Sequence, residues 1–113
     1  MTTIRVKSID YAPDDLYDQA PFDVDLLREI PGPDRPDYWL GKLRKPLTWL
    51  NDGAERQVTH VILTARHMGG SISPTMRNTG VNIAYVTDSS VALDSGLDFA
   101  KCTYVAIGVA DAA

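Results

Sequence analysis

The sequence has 113 residues, a formal net charge of −4 and one cysteine, and 44% of its residues are hydrophobic. Its length predicts a single domain, 1–113, and its apolar runs are far shorter than the roughly 20 residues that a membrane-spanning helix needs. Without the apolar segment of a signal peptide near the N-terminus or a second cysteine for a disulfide, we expect a soluble, cytoplasmic protein that does not bind a membrane.

The first 30 residues have a mixed pattern. Residues 4–9 carry β-branched side chains among charged ones, which predicts an edge strand. Pro13, followed by two acids, is typical of the first turn of a short helix, and Pro21 would end it. The spacing of apolar residues within 23–30 predicts a second helical turn.

The net charge of the chain comes from this N-terminal part. Residues 1–30 contain seven acids and three bases, whereas residues 31–113 contain eight of each. An acidic surface repels phosphate backbones and suits a basic protein partner, so we expect no binding to nucleic acid. Asp14, Asp15 and Asp18 are the candidate partner-binding residues. The alternative is a solvated acidic face that only keeps the protein soluble.

Residues 30–36 hold three prolines and a glycine, which predicts a stiff, extended connection. We interpret it as the boundary between an acidic N-terminal segment, 1–36, and a β body, 37–113. The segment is expected to pack as short helical turns on the β body.

The β body begins with aromatic and aliphatic residues on both sides of Pro46. Because proline lacks a ladder donor, a bulge or an edge position is expected there. Asp52 and Gly53 predict a hairpin turn between this strand and the next. Residues 58–65 carry apolar side chains on both faces, which predicts a strand buried on both sides.

Two more strands are predicted over 81–86 and 104–110, with a helical turn within 92–99 between them. The small residues Ala106, Gly108 and Ala110 share one face of the last strand, which indicates a close approach between backbones or tight curvature. The pattern predicts a mainly β (α+β) domain, with a five- to six-stranded antiparallel sheet or partly open barrel and short helical segments near the N-terminus.

Neither a metal nor another cofactor is expected. His60 and His67 are seven residues apart on one predicted strand, so they lie on opposite faces and cannot share a metal ion. Cys102 is the one cysteine and is interpreted as a small core residue.

The segment from Arg66 to Ser73 is the most suggestive for binding a small ligand. Two glycines allow backbone N–H groups to converge, while the arginine and the serines supply further donors for a carboxylate or phosphate. The candidate ligand-binding residues are Arg66, His67, Gly69, Gly70, Ser71 and Ser73. The alternative is a turn between strands that glycine makes easy.

Catalysis has no comparable support. Ser71, His67 and Asp88 could form a hydrolase triad on paper, but the sequence has no nucleophile-elbow motif. Trp39, if exposed near the basic Lys42, Arg44 and Lys45, would suit a partner, and otherwise belongs to the core.

Three hypotheses follow. The first is a non-enzymatic protein-binding module of the inhibitor or immunity type, with a basic partner. The second is a binder or enzyme for a small anion or metabolite at the Arg66–Ser73 loop. The third is a structural subunit whose apolar sheet surface pairs with a second copy.

Overall fold

The chain forms six antiparallel strands that close into one barrel. The structure is a computed structural model that describes residues 2–12, 14–51, 54–67, 69–87, 90 and 98–113. The strands are β1 (Thr3–Tyr11), β2 (Phe22–Ile30), β3 (Tyr38–Asn51), β4 (Ala54–Ala65), β5 (Thr79–Val86) and β6 (Cys102–Ala112). One helical turn, α1 (Asp14–Tyr17), follows β1, and a 3₁₀ turn (Phe99–Lys101) precedes β6.

Each strand pairs with its neighbours in the chain, and β1 closes the barrel against β6. The closing register includes Ile4 opposite Ala112 and Val6 opposite Ala110. The prediction of an antiparallel sheet is therefore confirmed, and the barrel is closed rather than partly open. The prediction of β1 as an edge strand is wrong, because closure leaves the barrel without edges.

The prediction of short N-terminal helices is wrong. Among the described residues before β2, only the turn α1 is helical, and the expected second turn is the strand β2. A register shift between Leu26 and Arg28 leaves Leu27 unpaired and 40% exposed. This bulge shifts the phase of the apolar residues so that their spacing resembles that of a helix. Residues 1–36 thus supply two of the six barrel strands.

Alternating side chains of the strands fill the barrel interior. Val81, Ile83 and Tyr85 of β5 point inward as predicted, and all three are at most 1% exposed. Leu16 of α1 and Ile72 and Met76 of the β4–β5 connection join the same apolar cluster. One core is therefore continuous from the N-terminal turn to the last strand.

The strand β3 contains the irregularity expected at Pro46. Lys42 pairs with His60 and Leu47 with Val58, so four residues of β3 lie opposite a single residue of β4. This wide bulge interrupts the regular pairing of residues 43–46 with β4. The predicted hairpin turn at residues 52 and 53 lies outside the described residues, but the two strands that it joins are paired as expected.

The small residues of β6 mark a close approach to β1. A Cβ atom on Gly108 would lie 2.6 Å from the backbone oxygen of Ser8 and 3.3 Å from a methyl group of Val6. The expectation of close backbone approach is confirmed, since no larger side chain fits there without moving a strand.

The outer face of β2–β5 carries a second apolar cluster. Ile30, Leu40 and Ile62 are buried there, although they point away from the barrel interior. Tyr38 and Phe99 pack against them. The strand β4 is therefore buried on both faces around Ile62, as its sequence predicts.

Helices contribute little to this fold. None of those in the described ranges is long and apolar enough to cross a membrane. The helical turn predicted within 92–99 lies mostly outside the described residues, which resume at residue 98 just before the 3₁₀ turn.

Candidate functional site

The connection from β4 to β5 contains all six residues of the predicted small-anion site. Gly70 and Ser73 are half-buried, and the other four are exposed: Arg66, His67, Gly69 and Ser71. The N–H group of residue 66 donates to the Gly80 oxygen at 2.8 Å, and that of Gly70 donates to the His67 oxygen at 2.9 Å. Two backbone donors of the loop are therefore engaged, and the anion site stays a prediction.

Arg35, which is not among the predicted site residues, holds this loop in place. Its side chain is 7% exposed and donates to the carbonyl oxygens of Ala65 at 2.9 Å, His67 at 3.3 Å and Gly70 at 3.1 Å. It also forms a two-bond pair with the carboxylate of Asp37, at 2.5 and 2.8 Å. A planar guanidinium can bind several carbonyl oxygens and a carboxylate at once because its donors form a rigid fork.

A cleft of about 490 Å³ lies where the segment between α1 and β2, together with the start of β2, meets the bulge of β3. Gln19 fixes one wall against β3. Its amide accepts from the Thr48 N–H at 2.8 Å and donates to the Thr48 carbonyl at 2.6 Å, as a neighbouring strand would. The bulge at 43–46 forms the opposite wall. The cleft thus depends on two irregular segments that the barrel holds together.

Three cations and two acids line this cleft: Arg5, Arg44, Lys45, Asp18 and Asp23. Arg5 pairs with Asp23 at 2.8 Å, and Arg44 pairs with Asp25 at 3.1 Å and donates to the Thr3 hydroxyl. Lys45 has no ion pair with any described residue. The cleft therefore presents more positive than negative charge in a protein whose net charge is negative.

Further hydrogen-bond donors remain available around Lys45. Arg5 and Arg44 each use Nε and one terminal nitrogen in the bonds to Asp23, Asp25 and Thr3, and neither Nη1 donates to a described residue. The ammonium group of lysine adds three more donors. Such a set of unpaired donors can bind a carboxylate or a phosphate.

The ion pairs lower the pKa of several carboxyl groups. The hydrogen bond from Arg5 is the main cause for Asp23, and the Thr3 hydroxyl followed by Arg44 lowers the pKa of Asp25. The pKa of Asp111 is lowered chiefly by the backbone N–H of residue 78 and then by Lys7. These groups stay ionised in mildly acidic solution.

These carboxyl groups predict a loss of stability in acid. Their pKa is lower in the folded chain than in the unfolded chain, so the folded state binds fewer protons below the ordinary carboxyl pKa of about 3.9. We expect the free energy of unfolding, measured with urea, to fall as the pH is lowered from about 4 towards 2. Asp111→Asn should reduce this dependence, and an unchanged slope would contradict its contribution.

The remaining predicted residues are dispersed. Asp18 is exposed at the cleft, whereas the side chains of Asp14 and Asp15 lie outside the described part of the structure. Trp39 is half-buried and packs against the barrel core. This is the expected position for a core residue rather than for an exposed partner-binding residue. Asp88, the acid of the hypothetical triad with Ser71 and His67, also lies outside the described residues.

Sequence signals for the cleft were present in part. The cluster of basic residues at 42–45 and the bulge at Pro46 were both recognised from the sequence. Gln19 gave no signal, because its contact with Thr48 joins residues 29 positions apart. The Arg35–Asp37 pair was detectable in principle. Residues that are two positions apart in an extended segment have their side chains on the same side.

Comparisons with known proteins give no identification. No protein-family model matches the chain, and no curated protein or solved structure shows a significant match to it.

Proposed function

We propose that this protein is a non-enzymatic binding module. Its ligand places an anionic group in the cleft between the segment that follows α1, β2 and the β3 bulge. The observation that carries the proposal is the cluster of Arg5, Arg44 and Lys45 around one cavity of a chain with a net charge of −4. Lys45 has no carboxylate partner among the described residues, so a ligand anion would supply it.

The size and openness of the cleft suit a ligand group rather than an isolated ion. A volume of about 490 Å³ is within the range of small-molecule sites, roughly 300–1,000 Å³. The side chains of Arg5 and Arg44 are more than half exposed, so binding relies on several weak contacts in partly screened surroundings. A group with clustered carboxylates or phosphates meets all three cations at once.

Lys45→Ala is the decisive variant for this proposal. We expect citrate or pyrophosphate to raise the melting temperature of the unmodified protein, and Lys45→Ala to weaken their binding about threefold to tenfold. Isothermal titration at low salt measures the affinity, and the two probes distinguish carboxylate from phosphate recognition.

Lys42→Ala provides the matched control. Lys42 is on the same strand but pairs across from His60 and does not line the cleft. Its removal changes the net charge by the same amount and should leave citrate binding nearly unchanged. Equal losses in both variants would show a general charge effect and contradict a site at the cleft.

The second candidate function is capture of a basic protein by the acidic surface around α1. It is favoured by Asp18, which is exposed and has no ion pair with a described residue. Asp23 and Asp25 add less to such a surface, because each is paired with an arginine of this chain.

The two candidate functions predict opposite changes in binding affinity when a defined probe is used. If the acidic surface is the binding site, tetralysine should bind the unmodified protein and Asp18→Asn should weaken it, while Lys45→Ala should strengthen it. If the cationic cleft is the site, citrate binding should follow the reverse order.

A further inference from the structure

A second cavity lies on the outer face of the barrel and shares no residue with the cationic cleft. Its volume is about 210 Å³. Ile62 and Ala84 from the neighbouring strands β4 and β5 contribute apolar surface to it, and Tyr38 and Phe99 contribute aromatic surface. These two rings already form an edge-to-face pair, with centroids 5.1 Å apart and planes at 78°.

One polar group in the lining has no hydrogen-bond partner in the part of the chain that the structure describes. The Oδ1 atom of Asn82 is buried and accepts no hydrogen bond from a described residue. Its cross-strand neighbour Thr64, in contrast, donates its hydroxyl to the backbone oxygen of Asp37. A buried carbonyl without a donor loses the hydrogen bond that it had with water, so a donor brought by a ligand would be stabilising.

We propose that this cavity binds a neutral, planar aromatic ring that carries an N–H or O–H donor. The ring packs against Tyr38 and Phe99, and its donor bonds to Oδ1 of Asn82. An apolar cavity of about 150 Å³ already accepts benzene, so 210 Å³ has room for one or two small rings. The terminal torsion of asparagine is soft, which lets the amide turn towards the donor.

Cys102 offers a direct measure of occupancy. It lines the cavity and is the one cysteine of the chain, so alkylation reports on this position alone. Indole is the probe, and benzofuran is its matched control because it has the same shape but no N–H donor. We expect indole to slow the alkylation of Cys102 by N-ethylmaleimide, with an affinity about threefold to tenfold higher than that of benzofuran.

Variants at the cavity separate the donor contact from simple apolar packing. Asn82→Ala should remove the preference for indole over benzofuran, and Ala84→Leu should fill the cavity and abolish protection by both. Circular dichroism checks that each variant is folded, and Asn82→Ala still tests the donor contact if Ala84→Leu fails to fold. Lys45→Ala should leave protection unchanged, because it lies in the other cavity.

Three results would overturn the assignment. The first is no protection of Cys102 by either probe at their solubility limits. The second is equal protection by indole and benzofuran, and the third is a preference for benzofuran. The last two would show that Oδ1 of Asn82 does not receive the donor of the ligand.

Discussion

Trp49→Ala is expected to lower the free energy of unfolding by about 3–5 kcal/mol, the usual range for removing a large buried aromatic side chain. Trp49 is 0% exposed, and the centroid of its ring lies 4.7 Å from that of Tyr85, which is 1% exposed. The substitution removes this contact and leaves a cavity inside a closed barrel. Because whole domains are stable by about 5–15 kcal/mol, the effect should be plain in urea unfolding followed by far-ultraviolet circular dichroism.

Trp49→Phe separates the ring from its polar atom. The indole Nε1 of Trp49 and the hydroxyl of Tyr85 are both buried, and neither forms a hydrogen bond with a described residue. Phenylalanine keeps most of the aromatic contact and removes an unpaired donor, so it should cost much less than alanine. A loss below about 1 kcal/mol for Trp49→Ala would show that the barrel interior can collapse around the gap.

The strand β5 could be predicted from its regular alternation, whereas the bulge of β2 hid that strand from the sequence pattern. The residues Val81, Ile83 and Tyr85 alternate without interruption, and their strand is where the pattern places it. In β2 the bulge at Leu27 breaks the alternation, and the apolar residues then satisfy a helical spacing instead. A local pattern reports the backbone only while the period of two is unbroken.

Barrel closure could not be read from local pattern at all. It depends on pairs such as Ile4 with Ala112, which are at opposite ends of the chain. The small residues of β6 indicated a close approach but not its partner, which the structure identifies as Ser8 of β1. Periodicity describes one strand, whereas closure is a property of two strands whose contact the sequence does not encode locally.

The candidate sites divide in the same way. The sequence shows Lys45 and its basic neighbours as a cluster of charge, and Pro46 predicts the bulge on which they lie. The cavity beside Asn82 was invisible, because it requires the 3₁₀ turn at Phe99 to meet the outer face of β3–β5. A charged segment that contributes to a site can be recognised from sequence, whereas the assembly of either site from distant segments needs the fold.

Arg35→Ala is expected to lower the free energy of unfolding by about 2–4 kcal/mol and to release the loop after β4. The alanine leaves the carboxylate of Asp37 without its main donor and removes the bonds to the carbonyls of Ala65, His67 and Gly70. Urea unfolding measures the loss, and amide hydrogen exchange should show faster exchange at Gly70, whose N–H bonds to the His67 oxygen.

Two control variants show whether geometry or charge carries this effect. Arg35→Lys keeps the positive charge but replaces a planar fork with a single ammonium group, so it should recover only part of the loss. Arg66→Ala removes an exposed arginine from the same loop and should change stability by less than about 0.5 kcal/mol. If Arg35→Lys restored full stability, charge alone would hold the loop. The predicted anion site at Arg66–Ser73 would then rest on a loop that arginine geometry does not fix.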